Sequence, residues 1–401
     1  MTLTFPSLET LRARGTMKWT RYPADVLPLW VAETDFGTCP AVAAAVQDAV
    51  DREYFGYPVA GPASRDLAEA VASFVERRHG WGIDPAAVTY CPDVVKGVMV
   101  AIEALTGEGS TIVIPMPAYP PFQKIPQATR RPVIYVPMKG DTFDLDALER
   151  AFTSDANPNG VGSMVLCNPF NPLGRAFTAE ELRAVVRLAD AHGVRIISDE
   201  IHAPLVFSGH HIPTAIVSDT AAEITVTVTA TSKGWNTAGL KCAQIISTSA
   251  EDARTIGHLS NLLTGEASTI GTAAATAAYT SGYDWLLEEV DHLHANWGYL
   301  AEQLPRVLPG VRLPRQEATF LAWLDLSEVD RLRGADGTVT RPAERLRTFA
   351  KVALNEGTDF GTVGAGHARL NFGTSREVID EALDRISSAD LHGGENCPGD
   401  K

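Results

Sequence analysis

Several features that would assign a protein to a membrane, a secreted framework or a metal site are missing from this 401-residue sequence. It contains no apolar run of the ~18–20 residues that a membrane-spanning helix needs. Its start has no basic region followed by an apolar core, so we expect no signal peptide. Its five cysteines are scattered and never spaced as CxxC, which favours free thiols over disulfides or a zinc site. We therefore expect a cytoplasmic protein that has no metal centre and no membrane partner.

Positive charge is also scarce. The chain has 34 lysines and arginines and 49 aspartates and glutamates, which gives a net charge of −15. Such an acidic surface disfavours a nucleic-acid partner or an anionic membrane surface. It says little about a small substrate, since a local site can oppose the global charge. Hydrophobic residues make up 45% of the chain. Because single cores stop growing near ~250–300 residues, the length predicts two or more domains.

Short apolar segments alternate with helix-like segments in the middle of the chain. We predict strands at 111–114, 163–167, 194–198 and 224–228. A helix is predicted from Thr178 to His192, because Thr178 and Glu181 form a capping-box pattern and Gly193 is a stop signal. Continuous apolar strands separated by helices predict an α/β fold with a mostly parallel sheet that is covered on both faces.

The carboxyl-terminal third has a different pattern and predicts a smaller α+β domain. Its predicted elements are a helix at 284–304, a strand at 319–325, a helix at 343–355, a strand at 368–372 and a helix at 376–386. We expect a segment 1–45 that packs with the small domain, a large domain over 46–280 and the small domain over 281–388. Residues 389–401 are predicted to form a disordered tail.

Chemically useful side chains follow the four predicted strands of the large domain. Ligands of open α/β sheets bind outside the carboxyl ends of the strands. In chain order, these strands are followed by Tyr119, by Asn171, by Asp199 with His202, and by Lys233. One edge of the sheet would therefore carry an aromatic ring, an amide, a carboxylate, an imidazole and an amine.

This set matches the requirements of pyridoxal 5′-phosphate. The cofactor needs a lysine for its aldehyde, a carboxylate that keeps its ring nitrogen protonated, donors for its phenolic oxygen and an aromatic ring to stack on. Each residue alone has a plainer interpretation: Lys233 as a strand cap, His202 as a core histidine, Tyr119 as packing. The ordered combination favours the cofactor site.

The phosphate group of such a cofactor also needs an anion site. Asp93 is placed to cap a helix, and the first amides of that helix would point at an anion. The amides concerned are those of Val94, Val95 and Lys96.

The order of these motifs resembles the fold-type-I aminotransferase class I/II superfamily. The motifs that carry the resemblance are Asn171-Pro172-Leu173-Gly174, Asp199-Glu200-Ile201-His202, Ser232-Lys233 and Arg369. Within the superfamily the chain resembles the MalY/PatB-type cystathionine β-lyases, which are C–S lyases. That finer resemblance rests on Met17-Lys18-Trp19, Leu29 to Phe36, Phe55-Gly56-Tyr57, Ser232 to Leu240 and Arg369 to Phe372. It implies the fold of type I pyridoxal-phosphate enzymes, with a seven-stranded type of sheet in the large domain.

The resemblance also implies roles around the cofactor. Lys233 would form the Schiff base and act as the catalytic base. Asp199 would pair with the ring nitrogen, and Tyr119 would stack on the ring. Asn171 and His202 would face the phenolic oxygen.

Further implied roles concern the substrate and the phosphate. Arg369 would bind the substrate carboxylate, at the end of the site lined by the Val31 and Ala32 backbone and by Tyr119. Tyr57 would reach the phosphate of a neighbouring subunit, which implies a homodimer with shared active sites. Ser232 and Lys241 would also contact the phosphate. The superfamily often has an arginine where Lys241 stands and a serine where Ala230 stands.

The activity that the resemblance implies is α,β-elimination from cystathionine or another S-substituted cysteine, which yields a thiol, pyruvate and ammonia. An amino-acid aminotransferase needs the same cofactor residues, and no residue in the sequence separates the two reactions. A regulatory binding protein that retains the fold is an alternative of another class, and a catalytically inactive relative is a third.

Overall fold

The structure, a computed structural model, describes residues 3–58, 65–334 and 336–391. Its strands are β1 Leu27–Pro28, β2 Val88–Cys91, β3 Thr111–Met116, β4 Val133–Pro137, β5 Val161–Cys167, β6 Arg195–Asp199, β7 Thr225–Thr229, β8 Ala243–Ser247, β9 Leu321–Asp325, β10 Val352–Ala353, β11 Asn355–Glu356 and β12 His367–Asn371. Its α-helices are α1 Leu8–Ala13, α2 Met17–Thr20, α3 Pro40–Asp51, α4 Arg65–His79, α5 Val94–Leu105, α6 Ile125–Thr129, α7 Leu145–Phe152, α8 Ala179–Ala191, α9 Asp219–Ile224, α10 Ala250–Gly257, α11 Asn261–Thr264, α12 Thr269–Ser281, α13 Tyr283–Val307, α14 Pro342–Arg345 and α15 Arg376–Ser388.

A seven-stranded sheet in the order β2-β8-β7-β6-β5-β3-β4 organises the large part of the chain. The four strands predicted there are β3, β5, β6 and β7, and they are adjacent and parallel. β8 runs antiparallel to both of its neighbours. Every residue of β3 and β7 is buried, as expected for strands covered on both faces. The predicted α/β fold with a mostly parallel seven-stranded sheet is therefore confirmed.

Two helix starts that were predicted from capping residues are present. Thr178 accepts a hydrogen bond from the Glu181 amide, and the Glu181 side chain accepts one from the Thr178 amide, which completes the capping box of α8. Asp93 caps α5 through the Lys96 amide. These caps fix where each helix begins relative to the strand before it, and thereby the loops at the edge of the sheet.

A second, smaller sheet has the order β11-β12-β9 and is antiparallel. A separate parallel pair joins β1 near the start of the chain to β10, with Leu27 opposite Val352. The amino-terminal segment is thereby held against the carboxyl-terminal part. The division of domains near residue 280 stays a prediction.

The helix predicted at 343–355 is present only in its first part, and its extension to Asn355 is wrong. α14 passes into a π-helical turn at Leu346–Ala350, and Lys351 then adopts a left-handed conformation with φ of 58°. The next residues form β10 and β11 instead. The helical spacing of apolar residues here is real, but pairing with β1, more than 300 residues away in sequence, overrides it.

The predicted tail began too early. Leu391 is fully buried, and its carbonyl accepts a hydrogen bond from Arg345 at 2.8 Å. Residues 392–401 lie outside the described residues. Within residues 3–58, 65–334 and 336–391, no helix is both long and apolar enough to cross a bilayer, and no group of three or more His, Cys, Asp or Glu side chains could hold a metal ion.

The packing of α5 on the sheet requires a glycine, which gives a first prediction. A Cβ at Gly97 would lie 2.6 Å from Val228 Cγ1, whereas a Cβ at Gly298, on the exposed face of α13, would meet nothing within 4 Å. Alanine gains up to ~1 kcal/mol of helix propensity at either site, but overpacking costs ~1–3 kcal/mol. We expect Gly97→Ala to lower the denaturation midpoint and Gly298→Ala to raise it slightly. Equal effects in chemical denaturation would contradict this packing.

Candidate active site

Lys233 lies in the turn that follows β7, at the carboxyl edge of the large sheet. Its Nζ donates a hydrogen bond to the Ala32 carbonyl at 2.7 Å. Burial lowers the pKa of the Lys233 amine to about 8, and the nearby charge of Arg369 acts in the same direction. A lysine of this kind has a larger neutral fraction near neutral pH than an ordinary lysine, which favours its action as a nucleophile and a base.

Asp199 and His202 lie at the end of the neighbouring strand, β6. Asp199 is buried and accepts a hydrogen bond from the Ile201 amide at 3.0 Å. Burial raises the pKa of its carboxyl to about 7. His202 is also buried, and its Nδ1 has no hydrogen-bond partner among the described residues. Burial lowers the pKa of His202 well below its ordinary value, with added effects of the Lys233 and Arg369 charges, so the imidazole is neutral.

Arg369 lies on β12 and is only 3% exposed. Its Nη1 donates to Asn171 Oδ1 at 3.0 Å, and its Nη2 donates to Asn355 Oδ1 at 2.6 Å and to the Trp30 carbonyl at 3.1 Å. Burial lowers the pKa of Arg369 to about 10, so the guanidinium remains charged at neutral pH.

The partners of Arg369 are neutral oxygens. In the part of the chain that the structure describes, no carboxylate lies within ion-pair distance of it, Asp359 acts on it only from a longer range, and its Nε is unpartnered. A buried charge without a counter-ion is costly. A guanidinium in this state is suited to bind an incoming carboxylate with two hydrogen bonds.

The amino-terminal segment supplies backbone acceptors to both cationic groups. The Ala32 carbonyl accepts a hydrogen bond from Lys233, and the Trp30 carbonyl accepts one from Arg369. Asn371 fixes the same segment, because its Nδ2 donates to the Val31 carbonyl at 2.5 Å and to the Glu33 carbonyl at 2.7 Å. The backbone around Val31 and Ala32 thus lies beside Lys233 and Arg369, and its role in substrate binding stays a prediction.

A buried ion pair anchors the other end of this segment. Lys18 Nζ lies 2.8 Å from Asp35 Oδ2, and Trp19 Nε1 donates to Asp35 Oδ1 at 2.9 Å. Asn236, three residues after Lys233, donates to the Thr34 carbonyl at 3.0 Å. The segment is therefore attached both to the amino-terminal helices and to the turn that carries Lys233.

Tyr119 and Asn171 complete the predicted group. Burial raises the pKa of the Tyr119 hydroxyl, and the nearby Arg369 charge opposes this shift. Because an arginine can only donate, the Asn171 oxygen must face Arg369, which leaves the Asn171 amide group to donate elsewhere. The structure thus brings together the side chains of Lys233, Asp199, His202, Asn171, Tyr119 and Arg369.

The predicted phosphate contacts are only partly arranged as expected. The Lys96 amide is used by Asp93 Oδ1 at 2.9 Å and is not free, which leaves Val94 and Val95 as the candidate amides. Lys241 Nζ lies 3.0 Å from Asp93 Oδ2, so its charge is held at the start of α5. Ser232 is half-buried in the turn beside Lys233, and its role stays a prediction.

Tyr57 lies at the surface of the chain. Its side chain is 92% exposed, and it lines a cleft of about 1170 Å³ to which Lys233, Asp199 and Arg369 do not contribute. Gly265 lines the same cleft and packs against Pro92, just before α5. Within one chain, Tyr57 therefore faces outward.

Sequence reasoning missed three contributors to the site. Asn355 contacts Arg369, but it was assigned to the predicted helix at 343–355 and was therefore not considered for the site. Asn371 was part of a motif without an assigned role. The Trp30 carbonyl gave no signal, because every residue has a carbonyl.

These residues fit pyridoxal 5′-phosphate. The Lys233 amine has a lowered pKa and faces a neutral carbonyl, so it can react with an aldehyde. The unpartnered Nδ1 of His202 and the remaining amide of Asn171 are available to a polar ring substituent. Asp199 is a buried carboxyl suited to a ring nitrogen.

Comparisons with known proteins agree with this geometry. The family model for aminotransferase class I and II matches residues 24–386. A protein named cystathionine beta-lyase from Corynebacterium glutamicum is 45% identical over 96% of this chain and 99% of its own length. Cystathionine beta-lyase PatB from Bacillus subtilis is 33% identical over 96% of this chain and 100% of its own length.

A solved structure from Corynebacterium diphtheriae, provisionally named a PLP-dependent beta-cystathionase, matches with a TM-score of 0.91 and 45% identity, over 98% of this chain and 100% of the other. The chain therefore belongs to the aminotransferase class I and II family.

Proposed function

We propose that the chain is a pyridoxal-phosphate-dependent cystathionine β-lyase, which converts cystathionine and water into homocysteine, pyruvate and ammonia and accepts other S-substituted cysteines. One observation carries this proposal. Lys233, an amine with a lowered pKa, lies near Arg369, a buried guanidinium that has no carboxylate partner among the described residues. The near full-length similarity to proteins named cystathionine beta-lyase supports it.

Four side chains would hold the ring of the cofactor. Pyridoxal 5′-phosphate, when bound, supplies an aldehyde for an amine and a protonated ring that withdraws electrons from the substrate. Asp199 would keep the ring nitrogen protonated. Asn171 and His202 would face the phenolic oxygen, and Tyr119 would cover one face of the ring. The Val94 and Val95 amides, with Lys241 and Ser232, would bind the phosphate.

Lys233 and Arg369 would act on the substrate. Arg369 binds the α-carboxylate, and its bidentate geometry fixes the orientation of the α-carbon. The Lys233 Nζ then removes the α-proton, which is favourable because its pKa lies close to neutral pH. The thiolate leaves from the β-carbon. The strong polar contacts hold the amino-acid end of the substrate and not its thiol end. The enzyme should therefore accept substrates with several different thiol leaving groups.

We further propose that two chains form a homodimer in which Tyr57 reaches the phosphate of the neighbouring subunit. Large apolar side chains are exposed on the same side as Tyr57, namely Phe55, Leu262 and Leu263. In a two-fold dimer the same patch meets itself, so Tyr57 of one chain would come close to the α5 start of the other. We also propose a cytoplasmic location, in keeping with four buried free cysteines.

Product analysis tests the main proposal. We expect the purified protein to be yellow with added cofactor and to release pyruvate and homocysteine from cystathionine. Lys233→Ala should be colourless and slower by roughly 10²–10⁴-fold or more, since both the anchor and the base are lost. Lys139→Ala, at an exposed lysine outside the site, serves as the control. Formation of the intact keto acid of the substrate without pyruvate would instead indicate an aminotransferase.

The lowered pKa of Lys233 predicts a pH dependence in the cofactor-free protein. Acylation of Lys233, followed by mass spectrometry, should increase with pH through about 8 and then level off, because only the neutral amine reacts. An unstructured lysine peptide should continue to increase up to ~10.4. Arg369→Met should move the Lys233 midpoint upward, since a neighbouring positive charge is removed. A midpoint equal to that of the peptide would contradict this environment.

Mixed dimers test the shared site. Lys233→Ala and Tyr57→Ala proteins should each be nearly inactive. When equal amounts are unfolded and refolded together, half of the dimers are mixed and each has one intact site, so roughly a quarter of the wild-type activity should return. Self-mixed samples of each variant provide the control. Absence of recovery, with mixed dimers detected by mass, would show that Tyr57 acts only within its own chain.

A further inference from the structure

A second buried carboxylate directly follows Asp199. The Glu200 amide donates to the Val228 carbonyl at 2.8 Å, so the pairing of β6 with β7 continues through this residue. The side chains of Ser198 and Glu200 lie on one face and hydrogen-bond to each other, which places Asp199 on the opposite face. Glu200 therefore lies behind the cofactor site and not in it.

Three donors converge on the Glu200 carboxylate. Oε1 accepts from Ser198 Oγ and from the Thr214 amide, both at 2.9 Å, and Oε2 lies 2.8 Å from His211 Nε2. All four residues are buried. Because an ionised carboxylate only accepts hydrogen bonds, three donors favour the charged form.

His211 does not cancel this charge. Its Nδ1 has no partner in the described part of the chain, so a second proton on the ring would be buried without an acceptor. The ring also packs against His79, with centroids 4.8 Å apart, and burial lowers the pKa of His79 well below its ordinary value. The charged group on this side is Arg78, whose Nη2 donates to the Pro204 and Val206 carbonyls. The geometry therefore makes His211 a donor to the Glu200 carboxylate through Nε2 alone.

We propose that Glu200 is a positioning residue that acts through Asp199, because its buried negative charge strengthens the hold of Asp199 on a protonated cofactor ring nitrogen. This inference rests on the proposed function. The two carboxyl groups are carried by successive residues and are separated by protein, where charges interact more strongly than in water. A second negative charge raises the proton affinity of its neighbours. The ring nitrogen therefore keeps its proton over a wider pH range.

The first test observes the ring nitrogen itself. In the cofactor-loaded protein, the proton on the ring nitrogen gives a far-downfield NMR signal. We expect Glu200→Gln, which removes the charge, to lose this signal at a lower pH than the wild type. Glu200→Asp, which keeps the charge, should retain the signal up to nearly the same pH as the wild type; this highest pH is the ring-nitrogen limit. Equal limits for Glu200→Gln and the wild type would overturn the proposal.

The second test separates charge from structure. Exchange of the substrate α-proton with deuterium should be about tenfold slower in Glu200→Gln with the natural cofactor. With an analogue that has C–H in place of the ring nitrogen, the two proteins should differ little. An equal loss with both cofactors would show that Glu200 only holds the loop in place.

A second variant covers the case in which Glu200→Gln does not fold. His211→Leu removes one of the three donors that favour the charged form of Glu200. Part of that charge is then lost, so the highest pH at which the ring-nitrogen signal is seen should fall, by less than in Glu200→Gln. No shift would overturn the proposal. A wild-type protein that binds no cofactor would refute the proposed function itself, whereas a yellow, pyruvate-forming protein that is insensitive to Glu200 would refute only this inference.

Discussion

The burial of the Arg369 guanidinium is the constraint on which the site depends. Its hydrogen-bond partners come from three separate parts of the chain, namely Asn171 after β5, Asn355 in β11 and the carbonyl of Trp30. A buried charge without a counter-ion costs free energy, which the rest of the fold must offset. These three acceptors converge only when both sheets and the amino-terminal segment are assembled. The substrate-binding end is therefore a product of the complete fold.

The charge of Arg369 also sets the state of its neighbours. It adds to burial in lowering the pKa of Lys233 and of His202, so one becomes a usable base and the other a neutral donor or acceptor. Asp199 lies at the end of β6, next to the strand whose following turn carries Lys233, and Glu200 lies behind it. The site is thus polar, with a cationic end for a carboxylate and an anionic end for a protonated ring.

The core of the fold followed from local patterns. The apolar strands β3, β5, β6 and β7 and the capped start of α8 carry their signals within a few residues, and the rule for strand ends places Asp199 and Lys233 together. The region after Ala350 did not follow, because its apolar spacing suits a helix. Its actual conformation depends on the left-handed Lys351 and on pairing with β1, which no local window contains.

The least predictable parts of the site are its backbone acceptors. Ala32 and Trp30 contribute carbonyl oxygens, whose position depends on Asn371 and on the Lys18–Asp35 pair rather than on their own side chains. A carbonyl is also a chemically apt partner for Lys233, because a carboxylate in its place would hold the proton and raise the pKa of the amine. The net charge of −15 says nothing of this arrangement, since the group that meets the substrate is a buried cation with neutral neighbours.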